Sequence, residues 1–124
     1  MKANELRIGN YVIYDNEVYQ IDTIADVFPT LNTDKFGIGV VDWNNIKPVP
    51  LTEEWLIKFG FDKFHKMDWS IDGECSNDIK HSIWITTYFE KPLVRINDLD
   101  LPSIKYVHQL QNLFFALIQK ELTL

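Results

Sequence analysis

Residues 9–24, GNYVIYDNEVYQIDTI, form two runs of β-branched and aromatic residues interspersed with polar ones, and the pattern breaks once, at Asp15 and Asn16. Both residue types accept the positive φ that a tight two-residue turn demands, so the segment predicts a β-hairpin. A third strand is expected at Phe36–Val41, where Phe36, Ile38 and Val40 share one face and Gly37 and Gly39 the other, which lets the strand bend. After an Asn44-Asn45 turn, Ile46–Val49 predicts a short fourth strand. Pro48 lacks an N–H and confines that strand to an edge or an end. Short, curved strands in the first fifty residues predict a small SH3-like β-barrel, with an open meander as the alternative.

The segment Pro50–Phe61, PLTEEWLIKFGF, carries helix-boundary signals at both ends. Thr52 suits the N-cap, Glu53 and Glu54 complement the positive end of the helix dipole, Leu51 can staple onto Leu56, and Gly60 suits a left-handed exit. A helix over 52–60 follows, with Trp55, Leu56 and Phe59 as its apolar stripe. Strands are expected within 61–98: Phe61–Ile71 has strand-like spacing, Ser82–Phe89 alternates apolar and polar positions, Glu90–Pro92 reads as a turn, and Leu93–Ile96 returns as the partner. Two or three strands make this an antiparallel meander, and Asp72–Asp78 reads as a polar excursion. The last helix is expected over 103–121, because Pro102 and Ser103 suit a first turn and a cap. From Tyr106 to Ile118 its apolar residues cover an arc of about 200°, wider than the stripe of an ordinary surface helix. Gln111 falls inside that arc, and a buried amide must find partners, so it should tie down a strand end or a loop. The fold class is therefore α+β, with a barrel over 1–50 and a helix, meander and helix over 51–124.

Composition narrows the functional classes. The 124 residues are 46% apolar and 14% aromatic, enough for one core or two small abutting ones. Twelve basic residues against eighteen acidic ones give a net charge of −6, shared equally by the two halves. Only Arg7 and Arg95 offer a planar fork, so nucleic acid is disfavoured as the main partner. Cys75 is the single cysteine, which excludes an intrachain disulfide, and no apolar run is long enough for a membrane span or a signal peptide. A cytoplasmic protein without a membrane role is the expectation.

Candidate chemistry is thin. His65, Asp68, Asp72, Cys75, Asp78 and His81 gather six possible metal ligands, but no close pair sits on one rigid turn as zinc requires. The opening Asp68-x-Ser70-x-Asp72-Gly73 matches a calcium loop and then places Ile79 where a bidentate Glu belongs. Nothing in the spacing brings Cys75 to His81 or His108 as a nucleophile and base need, and Glu53 and Glu54, adjacent on a helix, diverge. The Gly37-Ile38-Gly39 string lacks the rest of a phosphate loop. Neither a catalytic residue nor a metal or other cofactor is expected. The remaining candidate is a polar strip on the last helix, Lys105, His108, Gln109 and Asn112, which could hydrogen-bond a partner or, in a second reading, a nucleotide. Trp43, Trp55, Trp69 and Trp84 suit core packing for at least three of the four.

The strings ELRIGNYV at 5–12, IKPVPLTEEWLIKFGF at 46–61 and YVHQLQNLFFAL at 106–117 resemble a family of small proteins encoded in phages, prophages and other mobile elements of gut anaerobes. That resemblance implies an accessory protein of a bacterial cytoplasm and brings no activity, cofactor or site residue with it. The combined expectation is a non-enzymatic module that binds a protein partner, itself or a small ligand, with a nucleic-acid or nucleotide-binding regulator or anti-defence factor as the alternative.

Overall fold

The computed structural model describes residues 5–24, 29–32, 37–65, 68–74, 80–86, 92–96 and 99–122. They are mixed α and β, with two antiparallel five-stranded sheets and two α-helices, and they divide into two compact units. The first unit comprises Met1–Val49 and Tyr106–Asn112, and the second Pro50–Lys105 and Leu113–Leu124. A division by position at residue 50 therefore misses the return of Tyr106–Asn112 to the first unit.

In the first unit, β1 (Tyr11–Tyr14) and β2 (Glu17–Ile24) form the expected hairpin, with Tyr14 opposite Glu17. Asp15 and Asn16 take φ of 49° and 64°, the double left-handed turn whose twist matches the flanking strands. The sheet continues through β3 (Pro29–Asn32) and β4 (Gly37–Val40), while β5 (Ile46–Pro48) lies beside β1. Pro48 thus sits on an edge strand, as its missing N–H requires.

The sheet order is β4-β3-β2-β1-β5, and the sheet does not close: the expected barrel is an open sheet here. Strand β3 was not foreseen, because Pro-Thr-Leu-Asn has one apolar residue and no alternation. It gains its place from pairing: Leu31 lies opposite Ile21, and Thr30 opposite Thr23, with their hydroxyl oxygens 2.6 Å apart. The strand expected third at Phe36–Val41 is consequently fourth, and Phe36 lies outside the described residues. The sheet supplies Val12, Tyr19, Ile21, Leu31 and Ile46 to a core that Leu6 and Val41 join from outside the strands, with Tyr14 and Trp43 packed against it. Burying each large aliphatic chain contributes about 1.5–3 kcal/mol.

In the second unit, α1 (Glu53–Lys58) has its expected acidic first turn, and Lys58 reaches back to Glu54 at 3.3 Å. Thr52 has N-cap backbone geometry, yet its side chain makes no capping bond. The exit is better defined. Phe61 N–H donates to the Leu56 carbonyl at 2.9 Å and Gly60 N–H to that of Ile57 at 3.0 Å, the paired bonds of a Schellman motif, with Gly60 at φ 84°. Leu51 and Leu56, the expected staple pair, are both buried.

The second sheet is a meander of β6 (Asp62–His65), β7 (Asp68–Glu74), β8 (Lys80–Thr86), β9 (Leu93–Ile96) and β10 (Leu99–Leu101), neighbours in chain order. Two or three strands were expected. The three residues of β10 are too few to show a period, and the register Leu99 to Ile96, Asp100 to Arg95 and Leu101 to Val94 creates the strand. The Asp72–Asp78 excursion begins later than expected, since Asp72–Glu74 still pair with Lys80–Ser82; residues 75–79 lie outside the described residues, as does most of the Glu90–Pro92 turn.

Helix α2 runs over Val107–Ile118, shorter at both ends than 103–121. Residues 103–105 are held otherwise: Ile104 N–H closes a turn on the Leu101 carbonyl, and the Lys105 carbonyl accepts from Leu51 N–H. At the far end Gln119 adopts φ 64° without a glycine; its N–H donates to the Phe115 carbonyl at 2.9 Å, and its Nε2 donates to that carbonyl and to the carbonyl of Ala116, a group the helix end leaves open. Within α2 only Ala116 is exposed, as the wide apolar arc implied.

Gly60→Ala should lower stability by about 1–2 kcal/mol in urea unfolding. The added methyl meets no atom within 4 Å, so the loss reports the left-handed φ alone.

Candidate functional site

Three amide side chains of the first unit meet around the entry to β1. Asn10 and Gln111 are each 1% exposed. Gln111 Oε1 accepts from Tyr11 N–H at 2.9 Å, and its Nε2 donates to the Gly9 carbonyl at 3.0 Å. Asn10 Oδ1 accepts from Arg7 N–H at 2.6 Å, while its Nδ2 donates to Asn112 Oδ1 at 2.9 Å. Asn112 Nδ2 then donates to the Glu5 carbonyl at 3.1 Å. Each amide thus pairs both its ends, Gln111 and Asn112 across about a hundred residues of sequence and Asn10 with one end local and the other distant, as burial demands. The spacing expectation for Gln111 is met, and its partners are the backbone of residues 9 and 11.

The strip proposed from sequence is distributed among several tasks. Lys105 is exposed. Gln109 Oε1 accepts from Tyr106 N–H at 3.1 Å, the reach-back half of a capping box at the start of α2. Asn112 belongs to the amide cluster. His108 is 3% exposed and its ring stacks on Tyr106, centroids 5.9 Å apart and planes 10° from parallel. The solvated polar face expected there is therefore absent at His108 and Asn112: the helix is wrapped on nearly all sides, and its polar residues serve the interior.

His108 Nδ1 is buried without a hydrogen-bond partner. Burial pushes the imidazole below its ordinary value, a pull that the carboxylate of Glu5 opposes more weakly.

Of the six possible metal ligands, Cys75 and Asp78 lie outside the described residues, as do the side chains of His65, Asp72 and His81. Among the described residues no group of three or more His, Cys, Asp or Glu could hold a metal ion. Asp68–Gly73 forms part of strand β7, paired residue by residue with β8, whereas a calcium loop needs a tight turn at its glycine.

A different feature gathers polar groups at a surface. A groove of about 510 Å³ is lined by Ile13, Tyr14, Asp15, Asn16, Asn44, Asn45 and Lys47, and its walls are more polar than apolar. Two turns build it. The β1–β2 turn supplies Asp15 and Asn16, and a 3-10 turn at Trp43–Asn45 supplies Asn44 and Asn45, started by Asp42 Oδ1 accepting from Asn44 N–H at 2.9 Å. Pairing of Ile13 with Lys47 and Tyr14 with Ile46 sets the turns side by side. Both Asp-Asn and Asn-Asn were legible as turns; their adjacency was not, because it comes from the β1–β5 register.

Compared with protein-family models, with curated proteins and with solved structures, the chain finds no match.

Gln111→Leu removes the side-chain acceptor of the Tyr11 N–H and leaves the Gly9 carbonyl to Gln20 Nε2, and should cost about 1–3 kcal/mol in chemical unfolding. For His108 the folded state binds its proton less readily than the unfolded chain. Its contribution to stability is full above pH 6.5, the ordinary value, and lost as pH falls from there through the folded value. Unfolding curves from pH 8 to pH 5 should show that decline, and His108→Phe should flatten it.

Proposed function

We propose that this chain is a non-enzymatic binding module that takes a small, neutral polar ligand in the groove between the β1–β2 turn and the Trp43–Asn45 turn. The observation that carries the reading is the lining itself: three asparagine amides, each a donor and an acceptor, with one carboxylate and one ammonium whose charges cancel. Hydroxyl- and amide-rich molecules match such a surface, since each of their polar groups finds a complement and no net charge must be desolvated. Tyr14 adds a half-buried ring to one wall, steadied edge-on by Tyr19 at 6.2 Å.

The strand order supports reading the first unit as an opened relative of an SH3-like barrel, because β5 returns beside β1 after a four-strand meander. The resemblance of its three sequence blocks supports an accessory role in a phage or other mobile element, within a bacterial cytoplasm. No helix among the described residues is long and apolar enough to cross a membrane. Of the residues on which the nucleotide-binding alternative rests, Lys105 is exposed, His108 is buried and Asn112 is bonded to Asn10 and Glu5.

Titration of the labelled protein with millimolar neutral mono- and disaccharides and N-acetylated amides, followed by NMR, tests this reading. At least one should shift the amide signals of residues 14–16 and 44–47 together, and Asn44→Ala with Asn45→Ala should weaken binding about tenfold, the loss of one or two hydrogen bonds. Silence across the panel, or shifts confined to the second unit, would overturn it.

A further inference from the structure

The outward face of the second sheet carries one continuous cross-strand row. Asp62 on β6 lies opposite Ser70 on β7, Ser70 opposite Trp84 on β8, Trp84 opposite Arg95 on β9, and Arg95 opposite Asp100 on β10. The alternate residues point inward: Trp69, Ile83, Ile85, Val94 and Ile96 are all buried. Trp84 breaks the rule for its type, with 48% of its surface exposed in the middle strand of the sheet. Arg95 Nε donates to Asp100 Oδ1 at 2.7 Å, which ties the single guanidinium of the row to a carboxylate of its own chain. Asp68, two residues before Ser70, stands on the diagonal of Trp84 at about 7–8 Å by strand geometry.

We infer that this face docks a basic protein segment, with an arginine or lysine side chain laid over Trp84. The argument is one of complementarity. Among the described residues Asp62, Asp68 and Asp100 stand in and beside the row, Asp100 held by Arg95, the row's one arginine, and the whole chain carries a net charge of −6. An indole ring attracts a cation to its face, and carboxylates within reach supply the counter-charge. A sheet offers both on a fixed lattice, since strands about 4.8 Å apart place Asp62 about 10 Å from Trp84, a span that adjacent basic side chains cover. An acidic partner or a nucleic-acid backbone meets repulsion on the same surface. This surface lies in the second unit and is independent of the groove in the first.

Calorimetric titration with nona-arginine, and with nona-glutamate as the opposite probe, tests the assignment. Nona-arginine should bind in low salt, and Trp84→Ala should weaken it about fivefold, while Trp84→Phe, which keeps a ring, should stay within about twofold of the parent. Asp62→Asn with Asp100→Asn should weaken binding more than Asp22→Asn with Glu121→Gln, an equal change in net charge at exposed positions elsewhere. Circular dichroism of each variant reports its fold. Equal losses from the two charge pairs with no loss from Trp84→Ala would reduce the effect to bulk charge and overturn the proposal. So would tighter binding of nona-glutamate, or a concentration-dependent dimer dispersed by Trp84→Ala, which would give the face to a second copy.

Discussion

A side-chain amide buried without partners costs more than a well-formed hydrogen bond contributes, so a chain that buries two of them has committed its backbone to a particular geometry. Asn10 and Gln111 make that commitment here. Between them they fix Arg7, Gly9 and Tyr11 and draw in Asn112 and, through it, Glu5. Gly9 is the pivot: at φ 92° it turns the chain so that its carbonyl accepts from both Gln111 and Gln20 while its N–H reaches the Ile21 carbonyl. The Asp15-Asn16 turn sets the hairpin register, the amide bonds hold the entry to β1, and the pairing of β5 with β1 brings the two turns of the groove together. The binding site proposed for the first unit therefore rests on side chains that never touch it.

The second unit reaches its order by other means. Its sheet is a meander between neighbours in sequence, which asks little loop-closure entropy, and its first helix is closed by local bonds at Gly60 and Phe61. Polar side chains are consequently free to occupy the outer face, where Trp84 and its flanking charges stand in register.

How much of this could be read from the chain depended on whether the cause was local. The Asp15-Asn16 hairpin, the placing of Pro48 on an edge and the Gly60 exit follow from the φ angles and donors of single residues, and each is visible in a few letters. Gln111 was legible for a different reason, as a polar residue in an apolar arc, although only the fold could name its partners. Strands β3 and β10 were hidden because neither has an apolar period of its own; each exists through its neighbour. The helix start was misplaced because Pro102 and Ser103 are good local signals overridden by backbone bonds made by 104 and 105. In the polar strip of Lys105, His108, Gln109 and Asn112, the burial of His108 and the bonding of Asn112 were hidden for a related reason: a helical wheel shows which residues share a face and says nothing about what covers it.

The first unit borrows Tyr106–Asn112 from beyond the whole of the second sheet. During synthesis the amino-terminal strands leave the ribosome long before the glutamine that will hold Gly9 and Tyr11 has been made. The second unit in turn draws Leu113–Leu124 from the same late stretch, so each unit is completed by a different part of one continuous segment made after both sheets.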